Sequence, residues 1–114
     1  MVSVLAVGIA AQDVAVAPGV FCDTQREMER FVSLFDGDME NAVNSVNIEA
    51  RNPRACIAGT IAFIRGPEVA ISQTWNESFH IVRVIVIGIV TRAGLRRTTP
   101  SAAYSIERVP ERGA

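Results

Sequence analysis

Two cysteines, Cys22 and Cys56, most constrain how this chain folds. They lie 34 positions apart, outside any CxxC motif, and the chain has one histidine, so the pattern is not that of a zinc site. A disulfide between them would destabilise the denatured state by about 3.8 kcal/mol on the chain-entropy model. Such a bond persists in an oxidising compartment. The alternative is two buried free thiols in a cytosolic core.

The amino terminus predicts an export signal. Residues 1–11 form an apolar run that ends in small residues, which is typical of a secretory leader cleaved after Ala11. No basic residue precedes Arg26, so either the start of such a leader lies upstream of this sequence or the segment is something else. The alternative is a first β-strand, because Val2, Val4, Val7 and Ile9 favour strands and Val14 and Val16 alternate with smaller residues. We treat residues 1–17 as a signal-peptide remnant or arm, and residues 18–114 as one domain.

Two helices are predicted next. Thr24 and Glu27 form a capping box, and apolar residues then recur at helical spacing, which predicts a helix over 25–35. Asp38 caps a second predicted helix over 39–50. The two helices make a helical hairpin.

Strand-forming residues dominate the rest of the chain. The predicted strands are 56–65, 68–75 with Trp75 on one face, 79–91 and 102–109. Gly66-Pro67 is interpreted as the turn between the first two. The run 79–91 is apolar on both faces, which is typical of a strand covered on both sides. We therefore expect an α+β domain in which an N-terminal helical hairpin packs on a four-stranded antiparallel sheet or a small SH3-like barrel.

The charges divide unevenly along the chain. Residues 1–50 hold eight acids and two arginines, whereas residues 51–114 hold four acids and nine arginines, with no lysine anywhere. The net charges are therefore −6 and +5, which favours attraction between the two halves. Arg92, Arg96 and Arg97, beside Thr98 and Thr99, form a predicted basic loop.

This basic loop is the candidate binding site, for a protein partner or an anionic envelope ligand. Arginine suits bidentate contacts with carboxylate or phosphate groups. No base-stacking aromatic residues are interleaved with these arginines, which argues against nucleic acid. A solvated loop without a ligand is the alternative interpretation.

No pattern in the sequence predicts catalysis, a metal or a cofactor. His80 has no nucleophile or carboxylate placed beside it by a known motif. The acids of Asp36–Glu40 begin like a calcium loop, but Asn41 and Asn47 stand where such a loop needs glycine and glutamate. We interpret these acids as helix stop and cap signals.

The run FCDT, followed by ERFVSLFDGD, VN, EA and PRAC, and preceded by AQDVAVAPG, resembles small exported proteins of alphaproteobacteria whose function is not established. The resemblance covers most of the chain and implies an exported, disulfide-bonded domain. It carries over no catalytic residue.

These observations predict a non-enzymatic interaction module of the periplasm or the secreted fraction. One alternative is a small accessory subunit of an envelope or membrane complex, held by an uncleaved segment 1–17. Another is a small hydrolase that uses His80 or the Asp36–Glu40 acids. The run 1–11 is too short for a transmembrane helix.

Overall fold

A computed structural model of the chain describes residues 13–74 and 77–108. The elements are β1 (Val14–Cys22), α1 (Gln25–Leu34), α2 (Met39–Ala50), β2 (Cys56–Gln73), β3 (Ser78–Thr91) and β4 (Gly94–Arg108). The predicted α+β architecture, two helices packed on a four-stranded antiparallel sheet, is confirmed. The prediction that the helices come first is wrong, because β1 precedes them.

The β1 strand changes the interpretation of the amino-terminal segment. Residues 14–17, which the predicted arm included, lie in β1 and pair with β2 as far as Val14 opposite Ile64. The alternation of Val14 and Val16 with small residues is thus that of a strand. The predicted leader, residues 1–11, lies outside the described residues.

The sheet runs in the order β1-β2-β3-β4 with every neighbouring pair antiparallel. β4 returns to β1 at the pair Cys22 and Tyr104, which closes the sheet into a barrel. Beside this pair, the Ser105 hydroxyl donates to the Val20 carbonyl oxygen at 3.2 Å. The barrel is therefore closed along a short seam.

The predicted boundary between the first two strands is wrong. Gly66-Pro67 is no turn: β2 continues through it, with a shift in register between Arg65 and Glu68. At Gly66 the strand runs so close to β3 that an added Cβ would lie 2.7 Å from the Arg83 carbonyl oxygen. Trp75, at the end of the predicted second strand, lies outside the described residues.

Both helices begin where their caps predict. The Glu27 amide donates to Thr24 Oγ1 at 3.1 Å and the Thr24 amide donates to Glu27 Oε1 at 3.2 Å, which completes the capping box. The Asn41 amide donates to Asp38 Oδ1 at 3.0 Å at the start of α2. α2 ends at Ala50, and Arg51 then adopts a left-handed conformation, with φ of 55°.

Two apolar clusters lie on opposite faces of the sheet. The cluster shared with the helices contains Val20, Cys22, Met28, Phe31, Val32, Ala42, Val43, Val46, Cys56, Phe79 and Ile81. The other contains Phe21, Ile61, Val82, Val84 and Ala103. β3 contributes Ile81 to the first and Val82 to the second, which confirms that this strand is covered on both faces.

Candidate functional site

The predicted disulfide is present. Cys22 and Cys56 face each other across β1 and β2 with their Cα atoms 4.0 Å apart, and both residues are about 1% exposed. Both helices lie in the chain between the two cysteines. The bond therefore joins the residue that ends β1, before the helical hairpin, to the residue that begins β2, after it.

The three predicted site arginines lie at one end of the barrel, on a hairpin rather than on a long loop. β3 and β4 are joined through Arg92 and Ala93, because Thr91 pairs with Gly94. Arg96 and Arg97 lie in β4, opposite Ile89 and Gly88. The prediction of a basic loop is wrong in this respect, since β4 begins at Gly94 and not near residue 102.

The position of Gly94 explains this early start. Gly94 has a φ of 113°, a conformation that glycine adopts without strain, and it allows a tight connection directly after β3. The Thr91 hydroxyl accepts from the Ala93 amide at 3.2 Å and donates to the Gly94 carbonyl oxygen at 3.0 Å. Successive strand residues point to opposite faces, so the side chains of Arg96 and Arg97 diverge.

Apolar side chains accompany the arginines. Val90 and Leu95 are cross-strand partners and are 38% and 58% exposed. Arg92, Arg96 and Arg97 are all exposed. We call the end of the hairpin that carries Val90, Arg92, Leu95, Arg96 and Arg97 the basic hairpin end; Val90, Leu95 and Arg97 lie on one face of it and Arg96 lies on the other. The arginines of this end were predicted from the sequence, but the apolar pair of Val90 and Leu95 was not. The two residues become neighbours only through the pairing of β3 with β4.

Three arginines elsewhere in the described chain form ion pairs with acids, whereas Arg26, Arg51, Arg54 and Arg83 form none there. Arg30 pairs with Glu49 at 2.9 Å, Arg65 with Glu107 at 2.7 Å and Arg108 with Glu77 at 2.8 Å. Hydrogen bonds from Arg30 lower the pKa of the Glu49 carboxyl, with burial opposing them and the Arg30 charge adding to them. Among residues 13–74 and 77–108, no ion pair forms at the basic hairpin end.

The described ion pairs do not connect the two oppositely charged halves of the sequence. Glu49 lies with Arg30 in residues 1–50, and the other three pairs join residues of 51–114. The predicted attraction between the halves therefore does not take the form of ion pairs in the described part of the chain. The positive charge of the basic hairpin end stays available to another molecule.

A hollow lies beside the basic hairpin end, where β4 departs from regular pairing. Between Val86 opposite Ser101 and Gly88 opposite Arg97, the register shifts, so that residues 98–100 of β4 lie opposite residue 87 of β3 alone. Pro100 falls inside this bulge, at a place where no backbone N–H is needed. We call this segment, residues 98–100, the β4 bulge.

The hollow beneath the β4 bulge has a volume of about 420 Å³. Its lining residues are Phe21, Cys22, Asp23, Arg54, Ile57, Val86, Ile89, Thr98, Thr99, Ser101, Ala102 and Ala103. Thr98 Oγ1 is buried and has no hydrogen-bond partner among the described residues. In the sequence, Thr98 is visible as a neighbour of the arginines. The hollow is not visible there, because it forms only when folding brings Phe21 and Arg54 next to β4.

His80 lies on β3 in a polar group that is separate from the basic hairpin end. Its Nδ1 contacts Glu68, and its cross-strand partner is Glu107. Of the Asp36–Glu40 acids, Asp36 and Asp38 lie between the helices and Glu40 lies in the first turn of α2; Asp36 Oδ1 accepts from the Asp38 amide at 3.2 Å, and Asp38 caps α2. The interpretation of Asp38 as the cap of the second helix is confirmed.

Neither helix in residues 13–74 and 77–108 is long and apolar enough to cross a membrane. Within the same ranges, no three side chains of His, Cys, Asp or Glu are grouped so that they could hold a metal ion.

The comparisons with known proteins add no family to this description. No protein-family model, curated protein or solved structure matches the chain. The candidate site is therefore defined by its own geometry: a cationic and partly apolar hairpin end beside a hollow, on a domain with a buried disulfide.

Proposed function

We propose that this protein is a non-enzymatic binding module that acts in the periplasm or after secretion, and that it binds an acidic protein surface through its basic hairpin end. The observation that carries the proposal is the clustering of three exposed arginines around an exposed apolar pair. Arg92, Arg96 and Arg97 form no ion pair in the described chain, and they lie beside Val90 and Leu95 at one end of a single hairpin.

The chemistry of this end favours a protein as the partner. Arginine is enriched in protein interfaces because its planar guanidinium pairs with carboxylates and its stem packs on apolar surface. Val90 and Leu95 add exposed apolar area between the charges. Binding energy in such interfaces concentrates in a few arginine and large apolar side chains.

The buried disulfide supports an oxidising location. A fully covered Cys22–Cys56 bond between paired strands is a structural bond, and structural bonds of this kind are typical of exported proteins. The resemblance to small exported proteins is consistent with the same location. Fractionation of cells that express the full chain tests it directly, and recovery in the cytoplasm with both thiols reduced would contradict it.

Site-specific photo-crosslinking in exporting cells tests the binding surface. A photoreactive residue in place of Leu95 should form a defined adduct with an acidic protein, because Leu95 lies between the arginines. A photoreactive residue in place of Ile48, which is 76% exposed on α2, is the matched control and should not form that adduct.

Charge reversal gives the second arm of the experiment. Arg96→Glu with Arg97→Glu should abolish the Leu95 adduct, whereas Arg26→Glu with Arg51→Glu makes the same change in net charge at other exposed arginines and should preserve it. Purified variants should keep the wild-type melting temperature. Equal loss in both pairs, adducts with lipid only, or binding only to vesicles that contain phosphatidylglycerol would overturn the proposal.

A further inference from the structure

We infer that the hollow beneath the β4 bulge binds a small molecule that combines an apolar body with a single carboxylate. Its volume of about 420 Å³ falls within the range of small-molecule sites. The hollow is distinct from the surface of the basic hairpin end, although the two adjoin through Arg97 and Thr98.

Part of the lining of the hollow is formed by large apolar side chains. Phe21, Ile57, Val86 and Ile89 line it, and Ile57 and Ile89 remain 38% and 37% exposed although they lie on strands of a closed sheet. A hydrocarbon chain or ring seated there would remove this surface from water, which favours binding. The body of the ligand is therefore apolar.

The lining of the hollow also includes a residue, Thr98, whose hydroxyl lacks a hydrogen-bond partner in the described chain. Thr98 Oγ1 is buried without a partner in the described chain, and a buried hydroxyl in that state is costly. The β4 bulge holds it there, because the strand cannot flatten at Pro100 without placing proline in a regular ladder. A ligand oxygen that accepts from the Thr98 hydroxyl would remove this cost.

Two charged side chains among the lining residues determine which ligand charge the hollow favours. Arg54 lines the hollow and forms no ion pair among the described residues, so its guanidinium is available for a carboxylate. The Arg54 amide donates to Asn52 Oδ1 at 2.9 Å, which restrains the backbone at this position. Asp23 also lines the hollow and would repel a second anionic group. The site therefore favours a monocarboxylate over a dicarboxylate.

An added β-strand is a poorer occupant than a small molecule. The β4 bulge interrupts regular pairing, Pro100 lacks a donor, and arginines precede the bulge. These are features with which proteins prevent edge-to-edge pairing of strands. An extended peptide would find no regular hydrogen-bonding edge at the mouth of the hollow.

Octanoate is a suitable probe, with octan-1-ol as its uncharged counterpart. We expect octanoate, titrated into the oxidised full chain, to cause saturable shifts in the amide resonances of Phe21, Val86, Ile89 and Thr98. Octan-1-ol and the dicarboxylate suberate should each bind at least fivefold more weakly. Arg54→Gln should weaken octanoate at least fivefold without changing octan-1-ol, and Arg26→Gln should change neither.

Two further variants complete the test. Thr98→Val removes the hydroxyl at nearly constant shape and should weaken octanoate at least threefold, while Ala102→Phe should block the hollow without altering its polar groups. Shifts that do not saturate, shifts centred on the helices, or octanoate binding that survives Ala102→Phe would overturn the inference. Thr98→Val with unchanged octanoate affinity would equally contradict it, because the hydroxyl would then be satisfied by water alone.

Discussion

The side-chain amide of Asn47 forms hydrogen bonds in both directions with the backbone of Cys56: the Cys56 amide donates to Oδ1 at 2.8 Å, and Nδ2 donates to the Cys56 carbonyl oxygen at 3.0 Å. Nδ2 also donates to the Pro53 carbonyl oxygen at 3.0 Å. Asn47 thus attaches the end of α2 to the first residue of β2. The disulfide attaches Cys56 to Cys22, the last residue of β1.

Asn47→Ala should lower the free energy of unfolding by about 1–3 kcal/mol, because it leaves buried backbone groups of Cys56 without partners. Urea unfolding of the oxidised protein measures the loss. Asn44→Ala, an exposed position on the same helix, is the control and should change the stability by less than about 0.5 kcal/mol. Equal effects of the two substitutions would show that the Asn47 bonds contribute nothing.

Replacing both Cys22 and Cys56 with alanine should lower the stability by up to about 3.8 kcal/mol, since the loop they close contains the whole helical hairpin. Wild-type protein unfolded in a strong reductant is the companion measurement and should show a similar loss. A decrease below about 1 kcal/mol in both experiments would mean that the packing of the helices on the sheet already restrains the hairpin.

Local signals made the helices predictable. The Thr24–Glu27 box and the Asp38 cap act within one turn of chain, so they identify where α1 and α2 begin without knowledge of the sheet. β1 was harder to predict, because a short run of small and branched apolar residues is equally typical of the end of a leader. Its nine pairs with β2 depend on residues more than 30 positions away.

The candidate site was predictable only in part. The clustering of Arg92, Arg96 and Arg97 is visible in the sequence, but their placement on a hairpin depends on Gly94. The hollow is not visible, because Arg54 joins β4 through the folding of the chain rather than through any local pattern. The turn predicted at Gly66-Pro67 was wrong because it too was judged from local sequence alone. The dipeptide suggests a turn, but in the fold β3 lies close to Gly66 and β2 continues with a shift in register.

Gly66→Ala should destabilise the protein by about 1–3 kcal/mol, because the new Cβ would lie 2.7 Å from the Arg83 carbonyl oxygen and force the strands apart. Gly59→Ala is the matched control on the same strand, where an added Cβ meets nothing within 4 Å, and it should leave the stability unchanged or slightly higher. Thermal unfolding of the two variants compares them. A neutral Gly66→Ala would show that β2 and β3 can separate at this point without cost.

The Arg65–Glu107 pair should make stability depend on pH on the acid side. Two hydrogen bonds, of 2.7 and 2.9 Å, from the Arg65 guanidinium lower the pKa of the Glu107 carboxyl, although partial burial opposes them. Because the folded-state pKa lies below the unfolded one, the stabilisation is present above the unfolded value and is lost as the pH falls through the folded one. Urea unfolding of wild type, Arg65→Gln, Glu107→Gln and the double variant should therefore give a coupling energy at pH 7 that disappears by pH 2. A coupling energy that is independent of pH would assign the contact to packing rather than to charge.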